Sequence, residues 1–311
     1  MRTKIYNFII IITFLFLLIE IMTNKILIFD TIKYSLNIWI TSIVPSIFPF
    51  FIISDILISY NITNYIPKFI KYLFNKLFNT SNNIITIFFL SIISGFPSNA
   101  RITRKLLDMN NITTVEANHA LIFTHFSNPL FILGTVSVFF LHNNTYGIII
   151  LISHYLSNII VGILFRKYSI NNKNNYAHNI NNQNLSIILI TSIKNSIDTL
   201  LLILGTLTCF LILSAIIINR LNLGLYNSCL LKGLLEITMG LKALSTLNIN
   251  DIYKVVISTM FISFGGLSVH MQVISQIIGS NIKYKYFLTG RIYQTIISGL
   301  LAYILYIAII H

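Results

Sequence analysis

Glu236 is an ionisable residue in the middle of an apolar stretch, residues 229–247. A lone carboxylate at membrane depth is costly unless it is paired or faces water. Lys232 stands four residues earlier, and an i,i+4 pair would neutralise it. Facing a cavity instead, Glu236 would be a coupling-ion or proton site, with Gly240 on the same face leaving room for another backbone. His154 and Asn158, also four apart within residues 146–165, form the second candidate proton site. His119, His125 and His270 stand singly in apolar surroundings and read as helix-packing residues. Lys194 and Asp198 read as a structural pair, and Glu20 and Asp55, near segment ends, as reaching the membrane interface.

A second set of residues breaks the apolar segments. The breaks fall at Pro45/Pro49, Gly95/Pro97, Asn128/Pro129 and Gly265/Gly266. Backbone in a bilayer must be hydrogen-bonded internally, so such breaks are tolerated only where protein or a wet cavity satisfies the freed groups. After the second and fourth, Ser98 and Ser268 stand at N-cap positions, before Asn99-Ala100-Arg101 and Val269-His270-Met271-Gln272. A helix N-terminus offers free N–H groups and the positive end of a dipole, which suits a carboxylate or phosphate. Arg101 would add charge and Asn128 a side-chain donor. The candidate substrate-binding set is therefore Gly95, Pro97, Ser98, Asn99, Arg101, Asn128, Pro129, Gly265, Gly266, Ser268 and Gln272.

The elements that must hold these residues are membrane helices. Of 311 residues 55% are hydrophobic and 9% charged, against about 25% charged in a soluble domain. Mean hydropathy is +0.81. The formal net charge of +13 comes from Lys and Arg placed mostly in short stretches between apolar runs. That is the pattern topology imposes on cytoplasmic loops, so it argues for a lipid bilayer rather than nucleic acid as partner, and it is compatible with a small anionic substrate. A β-barrel would show alternating ten-residue strands, and none is present.

The predicted fold is an all-α polytopic bundle of seven or eight apolar segments, some broken, in two halves. Residues 1–24 read as a retained N-terminal transmembrane helix, because no small-residue cleavage site follows the apolar run. Residues 25–169 make the first half, 170–184 an Asn-rich linker and 185–311 the second half. Residues 61–83 read as an amphipathic segment along the cytoplasmic face. The thirteen-residue run 84–96, flanked by basic residues on both sides, reads as a re-entrant hairpin. Gly95-Phe96-Pro97-Ser98 and Gly265-Gly266-Leu267-Ser268 are an internal echo between the halves, and interrupted segments at corresponding places point to a transporter site.

Several chemistries lack their residues. No phosphate-binding GxxxxGK[ST] loop, GxSxG or HExxH is present, so the chain is not read as an enzyme. Cys209 and Cys229 are isolated and read as buried thiols, with neither a metal site nor a disulfide framework. No cofactor is expected; coupling to Na⁺ or H⁺ and a homo-oligomeric state are both compatible with the sequence.

Ser94-Gly95-Phe96-Pro97, Glu116-Ala117, the run Ser127-Asn128-Pro129-Leu130-Phe131-Ile132-Leu133-Gly134, and His154-Tyr155 with Asn158 resemble the sporulation integral membrane protein YlbJ family. So do Gly233-Leu234-Leu235-Glu236-Ile237-Thr238, residues 264–273 and residues 44–51, in order along nearly the whole chain. The resemblance implies kinship with gate-domain proteins related to concentrative nucleoside transporters: two inverted repeats, re-entrant hairpins and a midplane site. It implies a multi-pass protein of the cell membrane, placed in the outer forespore membrane during sporulation, that moves dipicolinic acid. A nucleoside or other small-metabolite transporter, and a membrane scaffold that moves nothing, are the rival readings. Asn99 departs from the family's S-G-[YF]-P-x-G-A pattern, in which glycine is expected there, and the central linker is short.

Overall fold

The computed structural model describes residues 2–168 and 184–310. All regular elements among them are helical, as the polytopic all-α class requires. The predicted linker 170–184 lies outside the described residues apart from Asn184.

Helix α1 (Arg2–Thr23) exposes apolar side chains all round, which is stable in lipid and not in water. Helix α2 (Lys25–Ile38) continues through a π-helical turn, Trp39–Ile43, into α3 (Val44–Ser59). The break predicted at Pro45/Pro49 is therefore absent: Lys25–Ser59 is one candidate span of 35 residues. Pro45 falls in the first turn of α3, just after the π turn, where a missing N–H costs least, and Pro49 lies inside α3. Glu20 is 1% exposed and paired with Arg220.

Amphipathic α4 (Lys68–Phe78) buries Phe74 and Phe78 and meets α5 (Asn82–Ser94) at 93°. Helix α5 turns at Gly95-Phe96-Pro97 and packs against α6 (Ser98–Asp108), forming a hairpin of which the predicted run 84–96 is only the first arm and the turn. Helix α7 (Thr114–Phe123) opens with a Thr113/Glu116 capping box and stops; after an irregular stretch the chain resumes as a π-helical segment, Phe131–Phe140. Helix α8 (Asn144–Leu164) follows, and α9 (Leu185–Leu221) opens the second half.

The predicted single segment 229–247 is a second hairpin, α10 (Leu225–Leu235) and α11 (Ile237–Ser245), broken at Glu236. Its helices close tightly: a Cβ on Gly240 would collide with the Gly233 backbone. Helices α12 (Asp251–Phe264) and α13 (Gly266–Ile277) are the halves of a helix broken at Gly265, and α14 (Tyr284–Ile310) follows.

Each half thus reads hairpin, broken helix, long helix, and the halves exchange contacts. Helix α7 packs on α14 while α12 packs on α8; α13 packs on α6 while Phe131–Phe140 packs on α11. This is the pattern of two repeats related by a pseudo-two-fold axis. It also moves the predicted echo: the Gly95 turn corresponds to the Glu236 turn, and the Gly265 break to the stretch after Phe123. By length and composition the described residues hold six candidate membrane spans, or up to seven, so the protein is a multi-pass membrane protein.

Candidate functional site

All the breaks meet at one cavity. It is lined by Gly95 and Phe96 of the first hairpin turn, Ser127 and Asn128 of the first broken helix, Glu236, Ile237 and Thr238 of the second hairpin turn, and Ser268, Val269 and Gln272 of the second broken helix. Ser42, Ile43, Ser46 and Ile47 close it from the π turn and α3, Ile203 and Leu207 from α9, and Phe131 from the π-helical segment.

Half-helices begin at this cavity or within two residues of it: α6, the segment after Asn128, α11 and α13. Their positive dipole ends converge, an arrangement that stabilises negative charge between them. Two of these ends are capped by side chains. Asn128 Oδ1 accepts the Leu130 N–H at 2.7 Å, and Glu236 Oε2 accepts the Met239 N–H at 2.9 Å. The N-caps of α6 and α13 are Pro97 and Gly265, with no side-chain cap. Ser98 and Ser268 are therefore not N-caps as predicted; they sit inside the first turn. The buried Ser127 hydroxyl, on the cavity wall, has no hydrogen-bond partner.

Glu236 owes its position to a break with no glycine or proline in it. Its backbone is extended (φ −147°, ψ 122°), and its carboxylate replaces the missing helical acceptor. The predicted pair with Lys232 does not form, because the break turns the two apart; Lys232 lines a separate cavity with Asp30 and Tyr34.

Of the predicted substrate set, Gly95, Asn128, Ser268 and Gln272 line the cavity, whereas Pro97, Ser98, Asn99, Arg101, Pro129, Gly265 and Gly266 do not. Gly95 has φ +73°, and a Cβ there would lie 2.8 Å from the Asn128 nitrogen, so the turn and the broken helix touch through it. Both predicted roles for Asn128 are narrowed: its amide donates to Ser46 O at 3.0 Å and Ile93 O at 2.9 Å, which fixes the wall. Gln272 is tied to Thr206 of α9 at 3.2 Å. Asn99, the departure from the family pattern, lies off the cavity against His125 at 3.4 Å.

Arg101 is elsewhere for a clear reason. With Lys105 it pairs with Asp55, which is 2% exposed. These three residues, with Arg104, Asp108 and Asp198, line an open polar vestibule of about 510 Å³. Gln276 of this vestibule and Gln272 of the cavity are one helical turn apart on α13, so the two spaces are neighbours. Asp198 faces the vestibule rather than Lys194. Cys209 is exposed and Cys229 buried, correcting the expectation of two buried thiols.

His154 and Asn158 stand behind the cavity wall rather than on it. His154 Nε2 accepts the Ser127 N–H at 3.0 Å, which requires that nitrogen to be unprotonated. Asn158 donates to the His125 carbonyl and accepts from Arg291 at 3.3 Å. The structure therefore gives the predicted proton pair a positioning part. Sequence reasoning missed the residue at the centre of this network. Arg291 is fully buried and donates to Ile122 O at 3.0 Å and Ser263 O at 3.3 Å, the last turns of α7 and α12. One cation thus joins the negative ends of both broken helices. The signal was present: a lone arginine inside an apolar run. Ser42, Ser46, Ser127 and Thr238 were also missed, and serine or threonine in a membrane helix is too common to single out.

No family profile matches the chain, and no solved structure matches it. The chain is 27% identical over 341 aligned positions to the sporulation integral membrane protein YlbJ of Bacillus subtilis (strain 168), covering 98% of this chain and 84% of that protein. That similarity runs along nearly the whole chain and agrees with the resemblance to the sporulation integral membrane protein YlbJ family.

Proposed function

We propose that this protein is a secondary transporter of a small dicarboxylate, dipicolinic acid, across the outer forespore membrane. The observation that carries the reading is the cavity where four half-helix N-termini meet, two of them, those of α6 and α13, without a side-chain cap. Two helix ends without a side-chain cap suit a ligand with two carboxylates, and the unpartnered Ser127 hydroxyl offers a further donor. The lipid bilayer is its solvent, and the chain performs no covalent chemistry of its own.

The cavity measures about 60 Å³, less than half of the ~150 Å³ that admits a benzene ring. A ring therefore enters only when apolar walls such as Phe96, Ile203 and Leu207 move, as alternating access demands. Glu236 on the wall also favours a second reading, a nucleoside whose ribose hydroxyls an acid would hold. A scaffold that moves nothing leaves the convergent helix ends without a use.

Titration calorimetry of the purified protein with dipicolinate, picolinate and uridine tests the reading. Dipicolinate should bind at least tenfold more tightly than picolinate, and uridine should not bind. Uridine binding with no dipicolinate binding would replace the cargo by a nucleoside.

A further inference from the structure

The cavity's own charge and a dicarboxylate cargo do not match as they stand. Glu236 is the one ionisable side chain among the lining residues. It is 4% exposed, and no cation among the described residues lies within ion-pair distance of its carboxylate.

The groups around it are otherwise engaged. From α2, Tyr34 faces Glu236, and the Lys242 ammonium lies 4.7 Å from the centre of that tyrosine ring. From α10, Lys232 lines the separate cavity. On α13, His270 bonds Tyr284 and the Phe264 carbonyl. After α7, His125 stacks on Phe96 with ring centres 5.2 Å apart. Arg101 of α6 is held by Asp55. Helices α9 and α12 and the Phe131–Phe140 segment contribute no ionisable side chain to the cavity wall.

The N-terminus of α11 supplies roughly half a positive charge, enough to favour one carboxylate there. A substrate carboxylate in the same small space adds a full like charge at low dielectric. Carboxylates sharing a site resolve this by one of them taking a proton.

We propose that Glu236 takes up one proton each time the dicarboxylate occupies the cavity, so that anion and proton cross together. This rests on the transport reading above. The proton comes from the aqueous side that loads the site. The neutral carboxyl keeps its carbonyl oxygen on the Met239 N–H and donates its O–H to a substrate carboxylate oxygen, a charge-assisted hydrogen bond. On the far side, departure of the anion removes that acceptor, and the proton leaves through the same opening.

The test is proteoliposomes holding the full chain and a trapped pH indicator, with voltage clamped by potassium and valinomycin. Labelled dipicolinate uptake and lumen acidification are measured together, and protein-free vesicles give the background. The expected result is one additional proton per dipicolinate, and accumulation driven by an acidic exterior alone. Glu236→Gln should bring the proton ratio of any remaining uptake to zero. Glu236→Asp should hold the ratio at one while shifting the pH midpoint of uptake. Uptake without lumen acidification, or driven only by a Na⁺ gradient, overturns the proposal and leaves the transport reading standing. A Glu236→Gln protein that still moves protons overturns the assignment to this residue. No uptake by well-inserted wild type overturns the transport reading and the proposal with it.

Discussion

The Arg291 guanidinium donates to the Ile122 carbonyl at 3.0 Å, holding the end of one broken helix from the last helix of the other repeat. Its contact with Ser263 O holds the end of the second, within its own repeat. Cutting a helix inside a membrane leaves carbonyls without donors, and Arg291 supplies a donor at each of the two cuts.

Arg291→Met should therefore lower stability substantially. Each buried carbonyl left without a donor costs about 1–3 kcal/mol. Thermal unfolding in detergent should show a clear fall for Arg291→Met and a smaller one for Arg291→Lys, which keeps the charge and fewer donors. Equal melting temperatures for all three proteins would remove Arg291 from this role.

His154 positions the cavity wall through the Ser127 N–H. Replacing it with Phe leaves that N–H unsatisfied, at a cost of about 1–3 kcal/mol, and should weaken dipicolinate binding several-fold. His154→Gln, which can present an acceptor, should recover part of the loss. If Gln and Phe behave alike in calorimetry, the contact does not position the wall.

The buried pair between Asp55 and Arg101 lends itself to a double-mutant cycle. Breaking a buried pair from one side costs roughly 3–5 kcal/mol because a charge is left uncompensated. Asp55→Ala should destabilise more than the double change Asp55→Ala/Arg101→Ala, since Lys105 alone can follow the exposed side. Strict additivity of the two single changes would show that they do not interact.

Gly95→Ala combines a positive φ with a Cβ 2.8 Å from the Asn128 nitrogen. Backbone strain of this kind costs about 1–3 kcal/mol, and separating the turn from the wall should reduce uptake. Uptake and stability equal to wild type would mean that the hairpin turn need not touch the broken helix.

Much of this was legible in the sequence. Low charge and long apolar runs gave the polytopic helical class, and Gly95/Pro97 and Gly265/Gly266 marked real turns, because these residues interrupt helices by their own backbone chemistry. Pro45 and Pro49 misled, since Pro45 sits in the first turn of α3 and the helix runs on through Pro49. The break at Glu236 carried no such punctuation: a carboxylate acting as N-cap makes it, and one apolar run hid a hairpin. That omission put the internal echo out of register. Arg101 looked like a substrate ligand because it follows the Gly95/Pro97 break; its partner Asp55 lies 46 residues away and only the fold brings them together.

The most direct measurement of the central claim is saturable uptake of labelled dipicolinate into proteoliposomes, comparing wild type with Ser268→Leu, which fills the cavity at the uncapped end of α13. The account predicts uptake by wild type that unlabelled dipicolinate competes and uridine does not, and none by a Ser268→Leu protein that inserts and melts normally. Undiminished uptake by that variant, or competition by uridine, would contradict it.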